Sequence, residues 1–82
     1  MKEHKSFGDE ELKNFMRNVT ELRRHNGYSK KRMAELLGIS IGTLSKMECG
    51  QFPPRLSVTV MYNVWKHFGV HVKDQFLPHV KF

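Results

Sequence analysis

The sequence predicts an all-α fold, a compact five-helix bundle, and three observations favour it. Apolar residues recur at helical spacing before residue 25 and again after residue 57. Two shorter segments between them carry serines that can cap a helix start and glycines that can end one. The chain has 82 residues, which suit one domain with a modest core better than an enzyme with a deep cleft. We expect helices at about 9–25, 30–37, 41–49, 57–68 and 72–77.

The first helix, at residues 9–25, is predicted by an apolar stripe and by the placement of charge. Acidic residues 9–11 occupy its first turn and basic residues 23–25 its last turn, which is the arrangement that the helix dipole favours. Asn26 and Gly27 then end the helix. The stripe that should face the core consists of Leu12, Phe15, Met16, Val19 and Leu22.

Residues 28–50 predict two short helices joined by a tight turn. Ser29 and Ser40 can each cap a helix start, and Gly38 between them allows the left-handed residue that ends a helix. The apolar residues expected to face one another across the turn are Met33, Ala34, Leu37, Ile39, Leu44 and Met47. This is the layout of a helix-turn-helix, in which the second helix enters the major groove of DNA.

Cations are concentrated on this region. Lys30, Lys31 and Arg32 open the second helix, where the positive end of the helix dipole disfavours them unless an anion is bound. Backbone N–H groups at a helix start also bind phosphate. Residues 23–55 carry seven basic and two acidic side chains, a net of +5 out of +6 for the whole chain. This charge predicts a polyanionic partner.

The fourth helix, at residues 57–68, is predicted by a stripe near its centre and by Gly69 after it. Its inner face should consist of Met61, Val64, Trp65 and Phe68, with Val58 nearby. We expect Trp65 to lie in the core, as tryptophan on such a stripe usually does. A short fifth helix, ended by Pro78, is indicated by Val70, Val72, Phe76 and Leu77.

The chain ends are expected to lie outside the bundle, which leaves a domain at residues 9–77. Residues 1–8 are mostly polar and predict a flexible N-terminal arm. Residues 78–82 predict a C-terminal tail, whose Val80 and Phe82 are expected to pack back on the bundle or to contact a second copy.

Composition favours a cytoplasmic location. Cys49 is the only cysteine, so no internal disulfide can form, and we expect it to be a small, partly buried residue. No apolar run approaches the roughly 20 residues of a membrane span. The N-terminal residues also lack the apolar segment of a signal peptide.

The central motif resembles the phage-repressor and Cro family, also called the XRE family of bacterial helix-turn-helix regulators. Residues 34–50 read A-x-x-L-G-I-S-x-x-T-L-S-x-x-E-x-G, and Pro54 matches the proline that follows in the family. The resemblance implies a fold of the lambda-repressor-like DNA-binding type. It also implies sequence-specific binding of double-stranded DNA by a transcriptional regulator, a repressor, of a bacterium, phage or mobile element.

The resemblance also implies roles for individual side chains. The residues expected to contact base edges are Ile41, Gly42, Thr43 and Lys46. The resemblance implies phosphate contact by Ser40, Ser45, Gln51 and Arg55, and the cation cluster that opens the second helix adds Lys30, where the family usually has glutamine, and Lys31. Lys46 alone among the base readers can make the strong donor contact to guanine, so we expect affinity to depend mainly on phosphates. The family glutamate matches Glu48 and its arginine partner matches Arg23, which implies a structural ion pair.

The resemblance implies that the chain binds DNA as a homodimer, and one alternative function remains open. Such domains usually bind two half-sites as homodimers, and the dimer surface is expected on the fourth and fifth helices or the tail. The alternative is a protein-interaction module on the same fold, such as the antitoxin of a toxin–antitoxin pair, with a small protein partner. We expect no enzyme, cofactor or metal site. His67 and His71 have the spacing of two metal ligands, but Gly69 separates them.

Overall fold

The computed structural model describes residues 9–51 and 58–78. All the regular secondary structure in these ranges is helical. The elements in chain order are α1 (Asp9–His25), α2 (Lys30–Leu37), α3 (Ile41–Glu48), α4 (Val58–Phe68) and a 3-10 helix (Val72–Phe76). The predicted all-α fold is confirmed. The predicted N-terminal arm, the loop carrying Pro54 and Arg55, and the tail residues Val80 and Phe82 lie outside the described residues.

Two element boundaries within the described residues differ from the prediction, and the predicted start of the fourth helix at residue 57 lies outside those residues. The fifth helix is a 3-10 helix that ends at Phe76, because Leu77 precedes a proline and takes an extended conformation with φ −76° and ψ 158°. A helix this short is commonly of the 3-10 type. The third helix ends at Glu48, one residue early, and Cys49 follows it as an exposed cap residue rather than a partly buried one.

The core is formed mainly by the predicted faces of the first three helices. The stripe of α1 is buried from Phe15 to Leu22, and Leu12 packs against the core from a half-buried position. The turn residue Ile39 is also half-buried against the core. The predicted residues of α2 and α3 that are buried are Met33, Ala34, Leu37, Leu44 and Met47.

The fourth helix is rotated relative to the prediction. Trp65 is 45% exposed and Val58 is 75% exposed, so the expectation that Trp65 lies in the core is wrong. Met61 and Val64 are buried as predicted and Phe68 packs against the core, but Val60 rather than Trp65 completes the buried face of α4. Asn63 explains the rotation, because its Nδ2 donates to the Leu37 carbonyl at 3.0 Å. Residues 63 and 65 lie about 200° apart on a helix, so Trp65 points away from α2.

Polar side chains of α1 hold the end of the chain by its backbone. Asn18 Nδ2 donates to the carbonyls of residues 75 and 77 at 2.9 and 2.8 Å. Asn14 Nδ2 donates to the carbonyl of residue 76 at 3.2 Å, and Arg17 donates to that of residue 78. Four consecutive carbonyls are thus bound by three side chains, Asn14, Arg17 and Asn18, which we call the α1 clamp.

Gln75 attaches the 3-10 helix to α4. It is 1% exposed, and its Nε2 donates to the carbonyls of Met61 and Val70, both at 3.0 Å. The ring of Phe76 stacks on that of Phe15 with centroids 5.1 Å apart. The 3-10 helix is therefore bound to both α1 and α4 by buried hydrogen bonds and apolar contact.

Candidate nucleic-acid interface

The predicted caps form the turn between α2 and α3. Ser29 Oγ accepts from the Arg32 N–H at 3.1 Å, and Ser40 Oγ accepts from the Thr43 N–H at 3.0 Å. Gly38 has φ +76°, and a Cβ there would lie 3.3 Å from Asn63 Nδ2, so both conformation and space favour glycine. The capped turn sets the angle at which α3 follows α2.

The first turn of α2 is an exposed cluster of cations. Lys30, Lys31 and Arg32 are all exposed, and the turn contains no acidic residue. Arg32 approaches Glu35 at 3.5 Å, and both side chains are more than half exposed, so that contact contributes little. Within the part of the chain that the structure describes, no carboxylate lies at ion-pair distance from either lysine.

The side of α3 opposite Leu44 and Met47 is open. Ile41 is 46% exposed, and Gly42 and Lys46 are exposed as well. The remaining predicted contacts are half-buried (Thr43 and Ser45) or exposed (Ser40 and Gln51). The predicted base readers therefore lie on one short helix, which packs against the helix that carries the cations, whereas Arg55 lies outside the described residues.

The start of α3 has two features that the sequence did not reveal. The Ser40 hydroxyl, which caps α3, also donates to Thr43 Oγ1 at 2.9 Å. A Cβ on Gly42 would meet only Ser40 Oγ, at 3.9 Å, so the free protein has no steric need for glycine there. Glycine inside a helix costs up to about 1 kcal/mol relative to alanine.

A bidentate ion pair ties α3 to α1. Arg23 Nε and Nη2 donate to the two oxygens of Glu48 at 2.7 and 2.9 Å, and Nη1 donates to the Tyr28 carbonyl at 3.1 Å. The Arg23 side chain is 15% exposed and that of Glu48 is 6% exposed. The hydrogen bonds to Glu48 raise the pKa of Arg23 above its ordinary value, although burial opposes this. The pair joins the end of α1, the start of the motif and the end of α3.

The two histidines do not share a helix face. His67 lies in α4, which ends at Phe68, and His71 precedes the 3-10 helix, so a break in the helix separates them. In residues 9–51 and 58–78 there is no group of three or more histidine, cysteine or acidic side chains arranged to hold a metal. No helix in those ranges is long and apolar enough to cross a bilayer.

The fold and the exposed α3 define a class of protein. A capped helix-turn-helix with cations at the start of its first helix is the arrangement of DNA-binding domains. The helix-turn-helix family model matches residues 19–74, which is 56 of the 82 residues, and the chain belongs to this Cro/C1-type (XRE) family. The family consists of DNA-binding transcription regulators that are typically not enzymes. Neither the curated proteins nor the solved structures that were compared gave a match.

Proposed function

We propose that the chain is a sequence-specific binder of double-stranded DNA and a cytoplasmic transcriptional repressor of a bacterium, phage or mobile element. The observation that carries the proposal is the exposed cation cluster at the start of α2, the helix that packs against α3, in which Lys30 and Lys31 have no ion-pair partner among the described residues. Lys30 and Lys31 would be unfavourable there without an anion, and a phosphate backbone supplies one along the groove that α3 enters.

Phosphate contacts set the position of the protein on the duplex. Lys30 and Lys31 bind phosphate together with the free N–H groups that begin α2. The other phosphate contacts are Ser40, Ser45, Gln51 and Arg55. Such contacts supply affinity and orientation and carry no sequence information directly.

Base reading belongs to the side of α3 opposite Leu44 and Met47. Lys46 donates to guanine O6 and N7, and Ile41 contacts a thymine methyl. Thr43 contacts a neighbouring base edge, and Gly42 lets the backbone of α3 approach the groove more closely than a Cβ would allow. The single strong donor predicts modest discrimination among sequences.

Repression follows from occupancy. A homodimer with two half-sites about one DNA turn apart would deny that DNA to RNA polymerase. Residues 9–77 would form the DNA-binding domain, with residues 1–8 as a flexible arm and residues 78–82 as a tail. Selection of bound duplexes from a random library tests the proposal, because it reveals whether a preferred, palindromic site exists. A library that remains random after selection would contradict sequence-specific binding.

Replacing Lys31 with alanine should weaken binding equally on all sequences. Each phosphate contact contributes about 0.9 to the slope of log affinity against log salt, so Lys31→Ala should make the slope shallower by about 1. The measurement is a salt titration of duplex affinity. Lys13→Ala is the matched control, since it removes an exposed lysine from α1 and should leave the slope unchanged. An unchanged slope for Lys31→Ala would remove Lys31 from the interface.

Replacing Lys46 with alanine should instead change the preferred sequence. The loss of a bidentate contact to guanine costs about 1–3 kcal/mol of discrimination at one base pair. Comparing duplexes selected by Lys46→Ala and by the natural chain measures the change, and Lys31→Ala serves as the control that keeps the preference. Identical selected sequences for Lys46→Ala would show that another residue reads the bases.

A further inference from the structure

Exposed apolar side chains form a stripe along α4. Val58, Tyr62 and Trp65 are spaced four and three residues apart, so they lie within about 60° of one another around the helix. The rings of Tyr62 and Trp65 lie 5.7 Å apart between centroids. Beside Trp65 the stripe borders an open cleft, whose lining includes the exposed Val72 at the start of the 3-10 helix. We call Val58, Tyr62, Trp65 and Val72 the α4 apolar face.

Cations flank this face on α4 and on the 3-10 helix. Lys66 follows Trp65 by about 100° around α4, and Lys73 lines the cleft. Both lysines are exposed, and within residues 9–51 and 58–78 no carboxylate lies at ion-pair distance from either. The sequence contains no acidic residue between Glu48 and Asp74. The surface therefore combines apolar side chains with positive charge that no neighbouring carboxylate balances.

The spacing of the stripe favours a helix as the partner. Apolar residues spaced alternately four and three apart form the seam along which two helices pack, and charges that flank such a seam select the partner. Lys66 has a flanking position of this kind, one residue beyond Trp65. Helices that bind other proteins commonly do so through an apolar face of the same spacing. Acidic side chains beside that face would complement Lys66 and Lys73.

Two other occupants fit the surface less well. A second copy in a two-fold contact presents the same cations, and like charges facing each other weaken an interface. A nucleic-acid strand supplies phosphates for the lysines, but its bases bind proteins by stacking on aromatic rings, and Val58 and Val72 offer none. An acidic amphipathic helix complements both the apolar side chains and the cations.

We propose that the α4 apolar face binds an acidic amphipathic helix of another protein. The apolar side chains of that helix cover Tyr62 and Trp65 and enter the cleft beside Val72, and its carboxylates pair with Lys66 and Lys73. This interaction goes beyond the proposed DNA binding and does not depend on it. The reading helix α3 packs mainly against α1 and α2, whereas the docking surface belongs to α4 and the 3-10 helix.

The size of the face predicts a weak, reversible complex. Four partly exposed side chains provide roughly a few hundred Å² of apolar surface, whereas each partner in a stable interface buries about 800 Å². We therefore expect a dissociation constant of about 10–100 µM at low salt. Because part of the attraction is between exposed charges, the affinity should fall as the salt concentration rises.

A designed peptide tests the inference on the full chain. The probe is a peptide of about 18 residues, long enough to form a helix, with leucine at the seam positions, glutamate beside them and no tryptophan. Trp65 is the only tryptophan of the chain, so its emission should shift to shorter wavelength as the peptide covers it. One control peptide has lysine in place of glutamate, and another has its leucines distributed around the helix. Both should leave the emission unchanged.

Charge-reversal variants locate the binding site. Lys66→Glu combined with Lys73→Glu should weaken binding of the acidic peptide by about tenfold and allow the lysine peptide to bind. The matched control is Lys30→Glu combined with Lys31→Glu, which makes the same change of charge on α2 and should alter either affinity by less than about twofold. All four lysines are exposed, so both variants should keep the natural melting temperature.

A truncation tests the apolar part of the contact. Tyr62→Ala should weaken binding of the acidic peptide by about tenfold, because aromatic side chains commonly dominate such contacts. The control is Leu77→Ala, since Leu77 is exposed to a similar degree and apolar but lies beyond the cleft, next to the α1 clamp. The affinity of this control for the peptide should be unchanged.

Several results would overturn the inference. An acidic peptide that fails to bind, or that binds no better than the peptide with distributed leucines, would exclude a helix partner. An equal loss of affinity in the α2 control would place the peptide on the α2 cations. An emission shift caused by oligothymidylate, or by concentrating the free chain, would assign the face to a nucleic-acid strand or to a second copy. A chain that binds the peptide but no duplex would overturn only the proposed DNA binding.

Discussion

Asn18→Asp should unfold a large part of the protein population at temperatures where the natural chain is folded. Asn18 is itself buried, and its Nδ2 donates to two carbonyls, to which aspartate at this position would present oxygen instead. A buried charge facing unpaired acceptors costs about 3–5 kcal/mol. Domains of this size have about 5–15 kcal/mol in total, and the melting temperature falls about 4–8 °C per kcal/mol. We therefore expect a fall of about 12–40 °C.

Thermal unfolding followed by circular dichroism measures this change, and Asn26→Asp is its control. Asn26 Nδ2 also donates to a backbone carbonyl, that of Leu22 at 2.8 Å, but the residue is exposed. Water can replace its hydrogen bond, so the control should lose only about 1 kcal/mol or less. Similar losses in the two variants would mean that the α1 clamp does not hold the 3-10 helix in solution.

Arg23→Ala should be nearly as destabilising. It leaves the carboxylate of Glu48, 6% exposed, and the Tyr28 carbonyl without their guanidinium partner. Removing one member of a buried pair typically costs about 3–5 kcal/mol. Arg24→Ala is the matched control, since it removes the adjacent, exposed arginine. Denaturant unfolding should show a large loss for Arg23→Ala and a small change for Arg24→Ala.

A double substitution distinguishes a structural role of Arg23 from contact with DNA. Arg23→Met combined with Glu48→Leu removes both charges together, and apolar replacement of a buried pair is often close to neutral. If the pair only fixes the packing of α1 against α3, the double variant should recover most of the stability and most of the DNA affinity. Recovered stability with lost DNA binding would show instead that Arg23 contacts phosphate.

These contacts suggest why α1 matters although it lies outside the motif. Its last turn holds α3 through the Arg23–Glu48 pair, and its middle holds the 3-10 helix through the α1 clamp. A bidentate contact restricts orientation as well as distance. The position of the proposed reading helix thus depends on α1, whose own apolar stripe indicates only that it belongs to the core.

Local signals explain why so much of the fold was predictable. Ser29, Gly38 and Ser40 act on backbone groups within a few residues of themselves, so the pattern that predicts each cap also contains its partners. The predicted positions of the cations and of the outward residues of α3 depend on the same local register. The roles of those residues on DNA remain predictions.

The sequence by itself determined the helix order, the capped turn and the family, because helical periodicity and capping depend on residues that are close together in the chain. Only the tertiary structure decided that Val60 rather than Trp65 joins Met61 and Val64 on the buried face of α4. Helical spacing allows either residue, and the choice depends on Asn63 bonding to α2, 26 residues away. The α1 clamp also needed the tertiary structure, because Asn14 and Asn18 bind carbonyls 57 to 62 residues distant. Contacts at such separations leave no periodic signal in the chain.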